Sequence, residues 1–170
     1  MHRYFIIYKP ANMVSQFVSP DKVGLLGDLD FDFPEGTHAI GRLDNYSEGL
    51  LLLTTNKRVH RLLYHDTKPH NRTYLLLVKN VISNERIELL RKGVNIRVKG
   101  GSNYITTPCN VSLAHKPHTF AANGIAFDPR IPHSWVQISL TEGKYHQVRK
   151  MFSAVKHVVR RLIRISIEDI

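Results

Sequence analysis

The stretch HAIGRLDNYSEGLLLLTTN, residues 38–56, sets one carboxylate, Asp44, between two apolar segments. Thr37 to Ile40 reads as a strand. Leu50-Leu51-Leu52-Leu53 runs on to Thr54 without alternating, the pattern of a strand buried on both faces. Arg42 lies two residues before Asp44, and Gly49 ends the turn that follows it. A carboxylate in a connection between buried strands is poorly solvated and costly unless it is paired. An Asx turn that satisfies nearby backbone N–H groups explains such a residue as readily as chemistry does. Position alone leaves both readings open.

Outward from this stretch the chain reads as α+β. Tyr4 to Tyr8 is a strand closed by Lys9-Pro10, and Asp21 to Leu29 is read as a short helix. Asn56 caps a short basic helix through about Tyr64. Thr73 to Lys79 is a strand. Ser83 to Lys92 is a helix with Ile87 and Leu90 on one face, a Glu88–Lys92 pair and Gly93 at its stop. Strands follow near 94–98, 103–106 and 110–114. Residues 115–133 carry three prolines and Asn123-Gly124 and read as loop. Ser134 to Leu140 is a strand and Tyr145 to Val155 a helix. In the last strand Ile163, Ile165 and Ile167 alternate with Arg164 and Ser166. Short connections make most pairings antiparallel.

The 170 residues suit one domain, 1–170, with enough chain to bury a core without staples. Cys109 is the sole cysteine, so an internal disulfide and a Cys-based zinc site are excluded. The start meets Pro10 too soon for a signal peptide, and no apolar run approaches a membrane span. A cytoplasmic protein with no membrane contact is expected. Net charge is +10 with a pI near 9.9, which favours a polyanionic partner, most often nucleic acid. Much of that charge lies late in the chain, at Lys144, Arg149, Lys150, Lys156, Arg160, Arg161 and Arg164.

Arg149 is the best candidate partner for Asp44. Val148, Met151, Phe152 and Val155 follow i, i+3, i+4, i+7 and face the core. Arg149 borders that stripe, where its stem can be buried and its planar head aimed at a carboxylate. Tyr74 offers a stacking face and a hydroxyl in one side chain, although half-buried strand filler is the commoner use of Tyr. Cys109, His115 and His118 have no standard zinc spacing. Asp28, Asp30 and Asp32 lack the glycine and final Glu of a calcium loop and read as an exposed acidic edge. Phosphate-loop, dinucleotide and serine-hydrolase motifs are absent.

Taken together these blocks resemble ribosomal RNA pseudouridine synthases, the RsuA and RluE group. Gly41-Arg42-Leu43-Asp44 with Ser47-Glu48-Gly49-Leu50-Leu51-Leu52-Leu53-Thr54 resembles the catalytic motif. Lys9-Pro10 resembles the opening motif, and Arg72-Thr73-Tyr74 the K-x-Y block with Arg in place of Lys. Glu142 to Met151 resembles the "EG…QVRRM" block, and Leu162-Ile163-Arg164 the final strand. The glycine usual after that block is replaced at Val155-Lys156-His157. The chain starts at the catalytic domain with no S4 RNA-binding domain, as the short RluE-like members do.

The resemblance implies the pseudouridine synthase fold, a bent, mostly antiparallel mixed sheet with flanking helices and a central cleft. It implies Asp44 as the catalytic aspartate, Arg149 as its basic partner and Tyr74 as the aromatic against the target base. Arg42, Leu43 and Leu162 are expected at the substrate pocket. Lys9, Lys144, Lys150, Lys156, Arg160 and Arg161 are expected on RNA phosphates. The expected reaction turns a specific uridine of ribosomal RNA, in the large subunit or an assembly intermediate of it, into pseudouridine. Since the reaction adds no atom, no cofactor or metal is expected, and the chain is expected to act as a monomer without an obligate protein partner. A catalytically silent RNA binder of the same fold accounts for the charge but not for Asp44, Arg149 and Tyr74 together. A metal-dependent nuclease built on Asp28, Asp30 and Asp32 would lose activity in EDTA.

Overall fold

The computed structural model describes residues 1–59, 69–117, 128 and 130–170. The chain divides into two compact units, Met1–Pro69 and His70–Ile170.

The first unit is built on three strands, β1 (Tyr4–Lys9), β2 (His38–Ile40) and β3 (Glu48–Thr54). β3 takes both neighbours antiparallel, with Ile6 opposite Leu52 and Ala39 opposite Leu53. One face of its unbroken leucine run is fully buried, Leu51 and Leu53 being 0% and 1% exposed; the other is covered less completely than expected, with Leu52 at 9% and Leu50 half-buried. Phe5, Phe31 and Phe33 pack edge to face, and Phe17 joins through Phe33 at 5.4 Å between ring centres. Asp28, Asp30 and Asp32 are exposed beside them.

The expected helix over Asp21 to Leu29 is instead a single 3-10 turn at Leu26–Asp28. Gly24 there forms a parallel bridge with Met13, and a Cβ at Gly24 would meet the Asn12 carbonyl oxygen at 2.8 Å. That close backbone approach holds residues before the turn extended. Asn56 caps as expected, its Oδ1 accepting from Arg58 N–H at 3.1 Å, and residues 57–59 are helical. The rest of the helix read to Tyr64 lies outside the described residues, as does most of the loop read over 115–133.

The second unit holds β4 (Arg72–Lys79), β7 (Asn110–Ala114), β8 (His133–Leu140) and β9 (Val159–Ile167), hydrogen-bonded in the order β9-β4-β8-β7, all antiparallel. A hairpin, β5 (Asn95–Arg97) with β6 (Asn103–Ile105), and two helices, α1 (Asn84–Lys92) and α2 (Gln147–Ala154), complete it. One sheet face presents Leu76, Val78, Val136, Ile138 and Leu162 to Ile87 and Leu90 of α1 and to Val148, Met151 and Phe152 of α2. The stripe read from the sequence is therefore the core-facing stripe. Each such side chain contributes about 1.5–3 kcal/mol by leaving water.

The caps follow the chemistry of their residues. Ser83 caps α1, its Oγ accepting from Arg86 N–H. Gly93 ends α1 with φ +97°, and a Cβ there would lie 2.1 Å from the Thr106 carbonyl oxygen, so no other residue fits. On α1 the ion pair is Glu88 with Arg91 at 2.6 Å, one residue short of the expected Lys92. α2 begins at Gln147 rather than Tyr145 because His146 takes the left-handed φ of +53°.

The last strand departs from simple alternation. Tyr74 faces Arg164 while Thr73 faces Ser166, so Ile165 falls in a β-bulge. Ile165 is consequently 37% exposed and Arg164 only 2% exposed, the reverse of the alternating expectation. A second register shift, Leu77 on Arg161 and then Val78 on Val159, turns Arg160 out to solvent.

Where the family resemblance leads to an expected glycine after α2, Lys156 itself takes φ +66°. That conformation costs an L-residue about 1–2 kcal/mol, partly offset in a glycine by its greater freedom when unfolded. Lys156→Ala and Lys156→Gly remove the same charge. The Gly variant is expected to be more stable than the Ala variant by about 0.5–1 kcal/mol in urea unfolding. Equal midpoints would mean the turn is unstrained.

Candidate active site

In the first unit the connection between β2 and β3 is held from both sides of Asp44. Ser15, 6% exposed, donates through Oγ to the Leu43 carbonyl at 3.0 Å and accepts from Leu43 N–H at 2.9 Å. The ammonium of Lys9, fully buried, donates to the carbonyls of Pro10, Met13 and Asn45, at 3.5 Å for the last. Ser47 N–H closes the turn onto the Asp44 backbone carbonyl at 2.9 Å. Leu43 and Asn45, the two neighbours of Asp44, are thus each tied to a buried polar side chain distant in sequence. Asp44 is half-buried, Leu43 buried and Arg42 exposed. Glu48 is fully buried and accepts from the Tyr8 hydroxyl at 2.9 Å.

This geometry corrects one expectation. Lys9 does not offer its charge to a phosphate, because the ammonium is enclosed and its protons are used on backbone carbonyls. Ser15 went unmarked in the sequence, for a lone serine 28 residues from its partner leaves no local signal.

In the second unit Tyr74 lies half-buried at the edge of the core, opposite Ile138 on β8 and Arg164 on β9. Leu162 packs in the same core and pairs with Leu76, so Tyr74 and Leu162 belong to adjacent strands. Arg149, half-buried as its border position predicts, donates from Nη1 to the Val159 carbonyl at 3.1 Å. Arg72 donates to the Thr141 carbonyl at 2.6 Å and lies against Gly143, joining the K-x-Y strand to the turn before α2.

Glu142 organises that turn. Its carboxylate accepts from the Tyr104 hydroxyl, from Thr107 N–H at 3.0 Å and from Gln147 Nε2, while Gln147 Oε1 accepts from Lys144 N–H at 2.8 Å. The network fixes the first turn of α2 and so the helix that carries Arg149. Lys144 lies over the Tyr104 ring at 4.8 Å and Lys150 over the Tyr145 ring at 5.3 Å. Lys144, Lys156 and Arg160 are exposed, and Lys150 and Arg161 half-buried.

No group of three metal-ligating side chains occurs among the described residues, and His118 lies outside them. Burial, and secondarily the charge of Glu142, pushes the Cys109 thiol up to about 11. The reactive thiolate is correspondingly scarce at pH 8. Cys109 is expected to react with a disulfide reagent at pH 8 about 100-fold more slowly in the folded chain than in urea. Equal rates would mean the thiol is neither shielded nor shifted.

Comparison with known proteins adds the following. The family model for RNA pseudouridylate synthases matches residues 3–154. The ribosomal large subunit pseudouridine synthase E of Vibrio parahaemolyticus is 32% identical over 99% of this chain and 68% of its own length. Ribosomal large subunit pseudouridine synthase B of Bacillus subtilis is 30% identical over 95% of this chain and 59% of its own. A crystal structure of a pseudouridylate synthase superposes with a TM-score of 0.77 at 25% identity, covering 100% of this chain and 64% of the other. The chain thus spans 59–68% of the length of these three proteins.

Proposed function

The chain belongs to the RNA pseudouridylate synthase family, and from that premise we propose that it isomerises a uridine of ribosomal RNA to pseudouridine, with Asp44 as the reacting carboxylate. The observation that carries this reading is the double tie on Leu43 and Asn45. Two buried polar side chains, Ser15 and Lys9, fix the residues on either side of one half-buried carboxylate. A group that must act on one atom of a bound substrate needs such preorganisation, and a silent RNA binder does not.

In this reading the uridine leaves its stack and enters the site. The N1–C1′ bond breaks, the uracil turns over, C5 joins C1′, and the C5 proton is passed to a base while N1 takes up a proton, so that no atom is gained or lost. Asp44 acts ionised at the ribose, either on C1′ itself or on the C2′ proton. Arg149, held by its bond to the Val159 carbonyl, is the basic residue that the family resemblance implies for this reaction. Tyr74 stacks on the freed uracil and relays the C5 proton. Leu43, buried beside Asp44 in sequence, helps keep water from the sugar, which water would trap. Atoms balance without a cofactor.

Large-subunit RNA is the finer part of the proposal, supported by the names of the Vibrio and Bacillus relatives. So are action as a monomer and a cytoplasmic location; no described helix is long and apolar enough to cross a membrane. The test is to map pseudouridine along both ribosomal RNAs of cells with and without this protein. One uridine of the large-subunit RNA is expected to lose its modification, and identical maps would overturn the proposal.

The basic carboxyl-terminal face supplies affinity in this reading. Lys150, Lys156, Arg160 and Arg161 hold phosphates rather than read bases, with Lys144 beside them. Changing those four to Ala should weaken target and non-target RNA alike. Each lost contact should also flatten the salt dependence of log K by roughly 0.7 on single strands. An unchanged slope would remove this face from the RNA interface.

A further inference from the structure

Beside the Asp44 loop the first unit contains a cavity of about 460 Å³ that the chemistry above leaves without a role. Ser15, Gln16 and Phe17 line one side of it, and Thr37, His38 and Arg42 another; Asp44 and Leu43 are not among its lining residues. We propose that this cavity is a subsite for one unstacked nucleotide of single-stranded RNA adjacent to the reacting uridine. The proposal rests on the RNA-modifying reading given above.

Size and chemistry both favour that ligand. The volume lies within the range of small-ligand pockets, roughly 300–1,000 Å³, and admits a base with its ribose. Phe17 supplies an aromatic face, and its ring is not free to swing, since it packs edge to face on Phe33 at 5.4 Å. Fixed aromatic faces are what extruded bases stack on. Gln16 is exposed and carries both a donor and an acceptor, the pair needed to read a base edge. Arg42 is exposed and adds a planar cationic fork suited to a phosphate or a guanine edge. His38 has Nδ1 on the Gly36 carbonyl at 3.1 Å, which leaves Nε2 as its polar atom for a ligand. Two basic side chains, one amide and one aromatic face match a nucleotide better than a neutral or anionic metabolite without a ring.

The cavity is also wired to the reacting loop. Ser15 lines it and at the same time makes both hydrogen bonds to Leu43, the residue before Asp44. Filling the cavity therefore bears on the wall that positions Asp44. Recognition of a neighbouring nucleotide and alignment of the carboxylate share one side chain, which gives specificity expressed in rate as well as in binding.

The experiment is amide and side-chain NMR of the whole chain, titrated separately with the four ribonucleoside 5′-monophosphates and with inorganic phosphate. The expected result is saturable shifts at Gln16, Phe17, His38 and Arg42, at least fivefold tighter for one base than for the weakest, and absent with phosphate alone. Phe17→Leu keeps an apolar side chain but removes the flat face, and Gln16→Ala removes the amide. Each should weaken the preferred nucleotide by roughly five- to tenfold, the weight of one stack or one base-edge contact. Equal shifts with phosphate would reduce the cavity to an adventitious anion site and overturn the proposal. So would four equal affinities, no shift at 10 mM nucleotide, or variants that bind as wild type. The readout needs no turnover, so an inactive protein that still selects a base would refute the isomerase reading while leaving the subsite standing.

Discussion

Asp44→Asn is expected to abolish isomerisation while leaving fold and RNA affinity intact. The turn at this position is closed through the Asp44 backbone carbonyl, which Asn retains, and the ties to Leu43 and Asn45 do not involve the carboxylate. What Asn loses is the negative charge that the proposed reaction uses at the ribose. Removing a group that takes part in bond making or proton transfer costs on the order of 10³-fold or more in rate. Single-turnover assays on ribosomal RNA lacking the modification read the effect, with RNA binding and thermal unfolding measured in parallel. Turnover within tenfold of wild type would mean that another group does the chemistry. A fall in rate accompanied by an equal fall in stability would mean that Asp44 is structural.

The strands around Asp44 were legible because burial leaves a pattern. An unbroken run such as Leu50 to Leu53 announces a strand covered on both faces, and the i, i+3, i+4, i+7 stripe from Val148 to Val155 announces the buried face of α2. What alternation cannot register is an inserted residue. One bulge at Ile165 shifts the phase of β9, so Arg164 turns in and Ile165 turns out, although the letters alternate perfectly. Nor does local sequence separate a helix from a 3-10 turn when a glycine is required by a distant backbone, as Gly24 is by Asn12. The family motif pointed to Asp44, Tyr74 and Arg149 by likeness, but the side chains that support a site leave fainter marks. Ser15 was invisible for that reason. Lys9 is visible, but a lysine in a basic protein looks like a phosphate ligand, and only the fold shows that its ammonium is enclosed.

The enclosed ammonium makes Lys9 the sharpest discriminator between a binding and a positioning role. Lys9→Met keeps the length and apolar stem of the side chain and deletes only the ammonium. The carbonyls of Pro10, Met13 and Asn45 then lose their charged donor in a place water does not reach. Hydrogen bonds to charged groups contribute about 1.5–3 kcal/mol each, and a carbonyl left unsatisfied costs about 1–3 kcal/mol. Part of that loss is offset because a buried ammonium is itself costly to desolvate. A net destabilisation of about 2–4 kcal/mol is expected, enough to lower the urea midpoint clearly. Turnover should fall as well, since Asn45 is released from one side of Asp44. The salt dependence of RNA binding should not change, because no phosphate contact has been removed, whereas Arg160→Ala should flatten it. Chemical unfolding and RNA titrations at several salt concentrations on the two variants give the comparison. A Lys9→Met protein as stable as wild type but with a flatter salt slope would return Lys9 to the RNA-binding surface.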